Sequence, residues 1–265
     1  MTHEEKRIYL IRHLLAESPR FAGLEIPDDV FGQRQLLRSL MNVRLPAPLP
    51  AEFLSVQDEY LQERNKEREI TDIAELAPFA GYESEQIYLW RSDITTLKVE
   101  AIVNAANSGM TGCYQPCHSC IDNCIHTFAG IQLRNACAEI MKAQGHEEPT
   151  GSAKITPAFN LPCKFVLHTV GPIVSGPLTE RDCELLASCY RSCLNLAAEN
   201  GVASIAFCCI STGVFCFPAK RAAEIAIETV RRWKRENKSS MKIVFNVFSE
   251  KDFSIYEQIL GARYE

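Results

Sequence analysis

Four side chains of metal-binding type lie within eight positions of this sequence. Cys113, Cys117 and Cys120 supply three thiols and His118 an imidazole, in the segment Gly112-Cys-Tyr-Gln-Pro-Cys-His-Ser-Cys120. Thiolates and neutral imidazole are preferred ligands of Zn²⁺, and a loop with glycine and proline can fold them around one ion. Three protein ligands would leave a coordination position open, as in catalytic sites, whereas four would close a structural one. The alternative is a loop of cysteines that bind nothing.

A second candidate segment is Ser211-Thr-Gly-Val-Phe215, which follows an apolar run and precedes Pro218. Proline suits the first turn of a helix. Gly213 lets the backbone approach a ligand, and successive backbone amides can hold a phosphate. Because many strand-to-helix turns contain glycine, this segment alone does not distinguish a phosphate site from an ordinary loop.

The most specific segment reads Asp93-Ile-Thr95 and then Glu100-Ala-Ile-Val-Asn-Ala-Ala-Asn107. It resembles the signature of macrodomains, the ADP-ribose-binding family. Four more matches follow in the expected order: Cys120-Ile-Asp-Asn-Cys-Ile-His126 with Ala129-Gly130, Thr150-Gly-Ser-Ala-Lys-Ile-Thr156, Val166-Leu-His-Thr-Val-Gly-Pro172 and Ile210-Ser-Thr-Gly-Val214. The resemblance covers about residues 83 to 265.

The resemblance implies a role for each matching residue. Asp93 would accept a hydrogen bond from the adenine amino group, with Ile94 alongside, and Asn104 and Asn107 would face the distal ribose. These side chains suit such partners, since a carboxylate accepts from an amine and an amide both donates and accepts. Phe248 would pack on adenine, or else belong to the core. The remaining implied contacts, with the diphosphate, come from Ile121, Asp122, Ser211, Thr212, Gly213, Val214 and Phe215.

The sequence departs from the usual macrodomain pattern in one place. The glycine run that normally precedes the helix is replaced by the segment rich in cysteine. This departure resembles the zinc-containing subgroup of macrodomains, whose motif of Cys, then Pro, then His-x-Cys-Ile-Asp-Asn matches Cys113, Pro116, His118 and 120–123. The subgroup implies a Zn²⁺ ion held by Cys113, His118 and Cys120. Cys117 stays open as a fourth ligand.

The function that this resemblance implies is a zinc-dependent hydrolase that removes mono-ADP-ribose from modified proteins, at a glycosidic or ester bond. Asn104 and Asn107 would orient the ribose, and Asp122 would position a water or act as general base. Zinc would act as a Lewis acid that lowers the pKa of a bound oxygen to about 7. One alternative is a non-catalytic ADP-ribose reader with a structural zinc. Another alternative is a protein-interaction platform in which zinc only stabilises the loop.

Two further histidines are interpreted as structural. His168 lies in the middle of an apolar run and is expected to be a core histidine with its hydrogen bonds satisfied. His126 follows Asp122 by four positions, so the two side chains share a helix face and are expected to hydrogen-bond.

The predicted strands and helices that must position these residues alternate along the chain. This alternation predicts an α/β fold with helices on both faces of a mainly parallel sheet. Ligands of such folds bind beyond the carboxyl ends of the strands. With the resemblance, we expect a three-layer α/β/α macrodomain with a mixed central sheet. The predicted strands are 86–90, 101–105, 153–157, 165–170, 204–210 and 242–248, and the predicted helices are 122–143, 179–199, 218–236 and 252–260.

Residues 1–82 carry no chemical motif. Apolar residues at helical spacing predict three helices, the third over about 51–68, and the proline cluster at 46–50 separates the last two. We therefore predict a helical N-terminal extension over 1–82, packed as a cap on a macrodomain over 83–265.

Composition narrows the class of partner. The net charge of −5 argues against nucleic acid, and no apolar run is long enough for a membrane helix. The twelve cysteines favour a reducing compartment over a disulfide framework, because several lie in apolar runs and the polar, acidic first residues are unlike a secretory signal. We expect a soluble, cytoplasmic protein. By resemblance, its partners include a sirtuin-type ADP-ribosyltransferase and a lipoyl-carrier protein.

Overall fold

The computed structural model describes residues 1–262, beginning with three helices. These are α1 (His3–Ala16), α2 (Val30–Val43) and α3 (Ala51–Lys66). Thr2 and Glu5 form a capping box at the start of α1, and the Asp29 side chain accepts the Gly32 N–H at the start of α2. Such caps satisfy backbone donors that a helix leaves unpaired. The predicted N-terminal helices are confirmed.

These three helices enclose an apolar core of their own, to which the rest of the chain contributes Ile131. The core residues recur at helical spacing, so each helix turns one apolar stripe inward. The main core of the protein already includes Ile73 and Tyr82. Residues on the N-terminal side of the predicted boundary between 82 and 83 thus take part in the main core. The boundary itself stays a prediction.

A six-stranded sheet forms the centre of the main body, in the order β2-β8-β7-β4-β6-β5. All neighbouring strands run parallel except β5, which is antiparallel to β6 at the edge. A separate parallel pair joins β1 (Thr71–Asp72) to β3 (Leu97–Lys98). The predicted mainly parallel, mixed sheet is confirmed. Its strands are β2 (Ile87–Arg91), β4 (Ala101–Ala106), β5 (Ala153–Pro157), β6 (Phe165–Val170), β7 (Ser204–Phe207) and β8 (Lys242–Val247).

Helices cover both faces of the sheet: α4 (Ile121–Ala129), α5 (Ile131–Gln144), α6 (Glu180–Glu199), α7 (Ala219–Asn237) and α8 (Glu250–Gly261). Tyr190 of α6 packs on Phe207, with ring centroids 5.0 Å apart. Side chains alternate between the two faces along a strand, so Asn104 of β4 lies on the opposite face of the sheet. Asn104 donates a hydrogen bond to α4. The three-layer arrangement is therefore confirmed. Within residues 1–262, no helix is both long and apolar enough to cross a membrane.

Two predicted elements are wrong in extent. The single helix predicted over 122–143 is two helices, because Gly130 between them adopts a φ of +97°. The strand predicted over 204–210 ends at Phe207, and the chain then enters a loop in which Ser211 has a φ of +64°. The second break redirects the chain at Ser211, one of the residues predicted to bind ligand.

Candidate active site

The carboxyl ends of five parallel strands meet at one edge of the sheet, and each is followed by a residue of a predicted motif. Asp93 follows β2, Asn107 follows β4, Gly171 follows β6, Ser211 follows β7 and Phe248 follows β8. This is the edge at which α/β proteins bind ligands. The fold thus gathers segments that are far apart in sequence along one rim.

A hydrogen-bonded trio lies at the end of β4. The Asn104 amide donates to Asp122 Oδ1 at 2.8 Å, and the Asn107 amide donates to Asp122 Oδ2 at 3.3 Å. Asn104 is fully buried, and its Oδ1 has no hydrogen-bond partner among the described residues. Asn107 is exposed at the surface of the rim. The two asparagines therefore fix both oxygens of one carboxylate, and only Asn107 reaches the surface.

Burial dominates the electrostatics of Asp122, which is 4% exposed. Loss of hydration raises the pKa of this carboxyl to about 6, and the amide of Asn104, the charge of Arg134 and the amide of Asn107 oppose the rise. Burial disfavours the charged form of an acid, whereas hydrogen bonds to its oxygens favour it. A raised acid pKa in a cleft is typical of functional sites.

Three candidate metal ligands converge beside this trio. The ligand atoms of Cys113, His118 and Cys120 all lie within 4.8 Å of one another, and Cys113 Sγ is 3.7 Å from His118 Nδ1. Each side chain is partly exposed. Two thiols and an imidazole at this spacing fit a zinc ion and present one side to solvent.

Cys120 is also the N-cap of α4, where its sulfur accepts the backbone N–H of Asn123 at 3.4 Å. Burial raises the pKa of this thiol to about 12, and the hydrogen bond from Asn123 opposes the rise. A bound cation reverses such a shift, because a coordinating thiol is deprotonated. Metal binding at this loop would therefore release the Cys120 proton.

Gly112 shows how tightly the loop packs where it meets α4. It has a φ of +85°, and an added Cβ would lie 2.8 Å from Cγ of the His126 ring. Any side chain here would be strained and would clash with the imidazole. The turn that delivers Cys113 therefore depends on glycine.

Cys117 lies apart from the other three ligands. Its thiol is 3.2 Å from Ser39 Oγ and donates to the Gln35 carbonyl at 3.4 Å, both in α2. Its backbone N–H donates to Asn42 Oδ1 at 2.9 Å. The residue left open as a fourth ligand thus contacts the N-terminal helices.

Asp93 begins a one-turn 3₁₀ helix, Ile94–Thr96, and accepts the Thr95 N–H at 2.9 Å. Its other oxygen accepts a hydrogen bond from Arg68 at 2.6 Å, and the carboxylate side chain is 34% exposed. Ile94 is buried in the core, with 1% of the residue exposed. Asp93 keeps an accessible edge while its orientation is fixed.

The loop after β7 holds the predicted diphosphate residues against the loop after β6. An added Cβ at Gly171 would lie 2.0 Å from Ser211 Oγ, so the two loops meet where Gly171 has no side chain. Ser211 is buried, and its hydroxyl has no hydrogen-bond partner among the described residues. Gly213 and Val214 are exposed. An unpartnered hydroxyl and an open backbone suit an oxygen-rich ligand.

Phe248 is 80% exposed directly after β8, and Val214 is 73% exposed across the rim. The core alternative for Phe248 is therefore wrong. Exposed apolar side chains at the ligand-binding edge of the sheet are candidate ligand contacts, since burying them on binding is favourable.

His126 and His168 are both buried, which for His168 agrees with the predicted core role. His168 Nδ1 accepts from the Asn104 amide at 3.1 Å, which assigns the ring proton to Nε2, 3.0 Å from Thr156 Oγ1. The expected hydrogen bond from His126 to Asp122 is absent: Nε2 lies 3.5 Å from Oδ1, and neither ring nitrogen has a hydrogen-bond partner among the described residues. Cys137 completes a second group of metal-type atoms with these two rings, but the group is fully buried and His168 is already hydrogen-bonded.

Three arginines contact the site without having been predicted. Arg38 of α2 donates to the His118 carbonyl, Arg68 donates to Asp93, and Arg134 of α5 donates to the Cys113 carbonyl. No local motif marks them, because their partners are distant in sequence. For Arg38 and Arg68, the one available signal was the arginine-rich composition of the predicted N-terminal extension, and Arg134 of α5 had no such signal.

The model of the family described as Macro domain matches residues 103–226. A protein of Treponema medium named protein-ADP-ribose hydrolase is 68% identical over 98% of this chain and 100% of its own length. A protein of Staphylococcus aureus strain MSSA476 with the same name is 47% identical over 94% of this chain and 93% of its own. A crystal structure of the Trypanosoma brucei macrodomain in complex with ADP-ribose is 30% identical, with a TM-score of 0.66, and covers 84% of this chain and 95% of that one.

Sheet order, rim residues and these similarities define a macrodomain. The chain belongs to the macro domain family, because it matches the Treponema relative along its whole length. The predicted family and fold are confirmed.

Proposed function

We propose that this protein is a hydrolase that removes single ADP-ribose units from modified proteins, with a zinc ion held by Cys113, His118 and Cys120. The observation that carries the proposal is the convergence of three zinc-type ligand atoms within 4.8 Å, beside the Asn104–Asp122–Asn107 trio. The relatives named protein-ADP-ribose hydrolase, at 68% and 47% identity, support the activity.

ADP-ribose would lie along the rim of strand ends. In this proposal, Asp93 accepts from the adenine amino group while Phe248 packs on the purine face. The loop 211–215 and the start of α4 hold the diphosphate, because helix N-termini and backbone amides favour anions. The bound state of the Trypanosoma macrodomain supports this class of ligand.

At the distal ribose, the exposed amide of Asn107 orients the sugar, and buried Asn104 holds the Asp122 carboxylate. Cys113, His118 and Cys120 would hold the zinc ion, which would supply a Lewis acid at this end of the rim. Asp122 accepts a proton from the attacking water, whose oxygen forms a bond to the carbon that links ADP-ribose to the protein. The bond from that carbon to the protein side chain breaks, and the departing atom receives the proton back from Asp122. General base catalysis of this kind contributes roughly 100- to 10,000-fold.

The decisive experiment measures release of ADP-ribose from a mono-ADP-ribosylated protein by metal-loaded wild type, chelated wild type and Cys113→Ala. Cys183→Ala, a partly buried thiol of α6, is the matched control. We expect release by the loaded wild type and the control alone. Equal rates in all samples would remove zinc from the mechanism. Tight binding with no release by any sample would instead identify a reader.

The predicted partners beyond ADP-ribose, a sirtuin-type transferase and a lipoyl-carrier protein, stay predictions from the resemblance. Incubation with an ADP-ribosylated lipoyl carrier and with other modified proteins in parallel would test them. Faster release from the carrier is the expected result, and equal rates would contradict it.

A further inference from the structure

One face of α2 contacts the loop that carries the candidate zinc ligands. Arg38 Nη2 donates to the His118 carbonyl oxygen at 2.7 Å and to Asn123 Oδ1 at 2.8 Å. The same nitrogen lies 3.6 Å from Cys124 Sγ. One guanidinium from the N-terminal extension thus contacts both the loop and the helix that follows it.

Asn123 extends the reach of Arg38 to the rest of the loop. This fully buried amide donates to the carbonyls of Gln115, at 2.9 Å, and of Cys113, at 3.4 Å. Its backbone N–H donates to Cys120 Sγ at 3.4 Å. All three ligand residues are therefore one or two hydrogen bonds away from Arg38.

The middle of the loop is tied to the same helix. Cys117 has a φ of +53°, and its N–H and thiol contact Asn42, Ser39 and Gln35 of α2. Arg134 also donates to the carbonyl of Asn42, at 2.7 Å, near the end of α2, and to that of Cys113. The irregular backbone of the loop is thereby supported both by α2 and by Arg134 of α5.

Holding such a loop in one conformation has a free-energy cost. Each backbone residue that is fixed loses conformational entropy, and metal binding must offset this loss unless the loop is already ordered. Groups that hold the ligands from behind typically change metal affinity by about 10- to 100-fold. Arginine suits this task, because its planar fork can donate to two acceptors at once.

We propose that Arg38 is a positioning residue of the metal loop, which makes α2 a working part of the active site rather than a cap. Arg38 fixes the His118 backbone directly and the Cys113 and Cys120 segments through Asn123. This inference rests on the proposed function, since it assumes that the loop binds zinc.

The test compares the zinc affinity of wild type, Arg38→Met, Arg38→Lys and Arg34→Met by competition with a chromogenic zinc chelator. Arg34 is the matched control, because it lies one turn earlier on α2 and pairs with Glu67 at 3.2 Å within the extension. We expect Arg38→Met to lose about 10- to 100-fold in zinc affinity. Arg38→Lys should fall between Arg38→Met and wild type, and Arg34→Met should match wild type.

A second readout separates positioning from general damage to the fold. ADP-ribose affinity of the zinc-free proteins should be unchanged by Arg38→Met, and excess zinc should restore its kcat. If Arg38→Met does not fold, the zinc affinity of Arg38→Lys is compared with that of Arg34→Met, and a lower affinity of Arg38→Lys supports the proposal. Equal zinc affinity in the Arg38 and Arg34 variants, or a kcat that excess zinc does not restore, would overturn the proposal for Arg38 alone. A wild type that binds no zinc would overturn the proposed metal and this inference together.

Discussion

The guanidinium of Arg68 lies 2.6 Å from the carboxylate of Asp93, measured from Nη2 to Oδ2. The same nitrogen donates to Thr95 Oγ1 at 2.6 Å, and the group stacks over Phe128 with Cζ 3.4 Å from the ring centroid. Arg68 follows α3, so the N-terminal extension fixes the carboxylate that is predicted to bind adenine.

Replacing Arg68 with methionine should therefore weaken ADP-ribose binding. Methionine is an unbranched apolar side chain, so it would remove both the guanidinium stacked on Phe128 and the charged partner of Asp93. Hydrogen bonds to charged groups contribute roughly 1.5–3 kcal/mol, and partial exposure of this pair reduces the value. We expect an affinity about 10-fold lower by titration calorimetry. Arg232→Met, on the surface of α7, is the control, and equal affinities in the two variants would contradict the role of Arg68.

Asp122→Asn should abolish hydrolysis and spare binding. The amide has the size of the carboxylate, although its NH2 group would face one of the two asparagine donors, and it cannot accept a proton from water. We therefore expect a kcat lower by at least about 100-fold. Release of ADP-ribose under saturating substrate measures kcat, and calorimetry with free ADP-ribose measures binding. Glu199→Gln at the end of α6 serves as control. A variant that retained wild-type kcat would exclude Asp122 as the base.

Gly171→Ala should damage the meeting of the loops after β6 and β7. The new methyl would lie 2.0 Å from Ser211 Oγ and 2.9 Å from Ile210 Cγ2, so the loop after β7 must shift. Overpacking of this kind typically costs about 1–3 kcal/mol. We expect weaker ADP-ribose binding, measured by calorimetry.

A double variant identifies the cause. Ser211→Ala removes the nearer clashing atom, so Gly171→Ala with Ser211→Ala should bind better than the sum of the two single losses predicts. Strict additivity would mean that the loops do not couple through this contact.

Acid should destabilise the protein through His168. Burial lowers the pKa of this imidazole to about 3, from an ordinary value of 6.5. Below pH 6.5 the unfolded chain binds a proton that the folded protein does not, so stability falls as pH falls from 6.5 towards 3. Each pH unit in this window costs about 1.4 kcal/mol per group.

The comparison of wild type with His168→Gln isolates that contribution, because carboxylates with lowered pKa also lose stability in acid. Urea denaturation at pH 7, 6, 5 and 4 gives the unfolding free energies. We expect the advantage of wild type at pH 7 to shrink by about 1.4 kcal/mol per unit below pH 6.5. A difference that stays constant with pH would show that His168 takes up protons equally in both states.

How much could be predicted from sequence depends on the range of the interactions involved. Asn104, Asp122 and the ligands of the loop belong to continuous motifs, and the structure brings them together as expected. The break at Gly130 was missed because the apolar period is the same on both sides of it. Its cause is tertiary: Gln57 of α3 accepts the N–H of Ile131, and an added Cβ at Gly130 would lie 2.8 Å from the same amide.

The arginine contacts could not be predicted from any sequence pattern. Arg38 and the His118 carbonyl are 80 positions apart, and Arg68 and Asp93 are 25 apart. Each arginine stands in an ordinary polar helical stretch, so its neighbours in sequence give no sign of its partner. Only the packing of the N-terminal helices against α4 brings these groups together.

The attachment of the loop to α2 has a practical consequence for anyone who shortens this chain. A fragment trimmed to the sheet and its flanking helices would keep every motif of the family, yet Asp93, Cys117 and the His118 carbonyl would each lose a hydrogen-bond partner. Such a minimal domain would be a poor substitute for the whole protein in crystallography, screening or redesign.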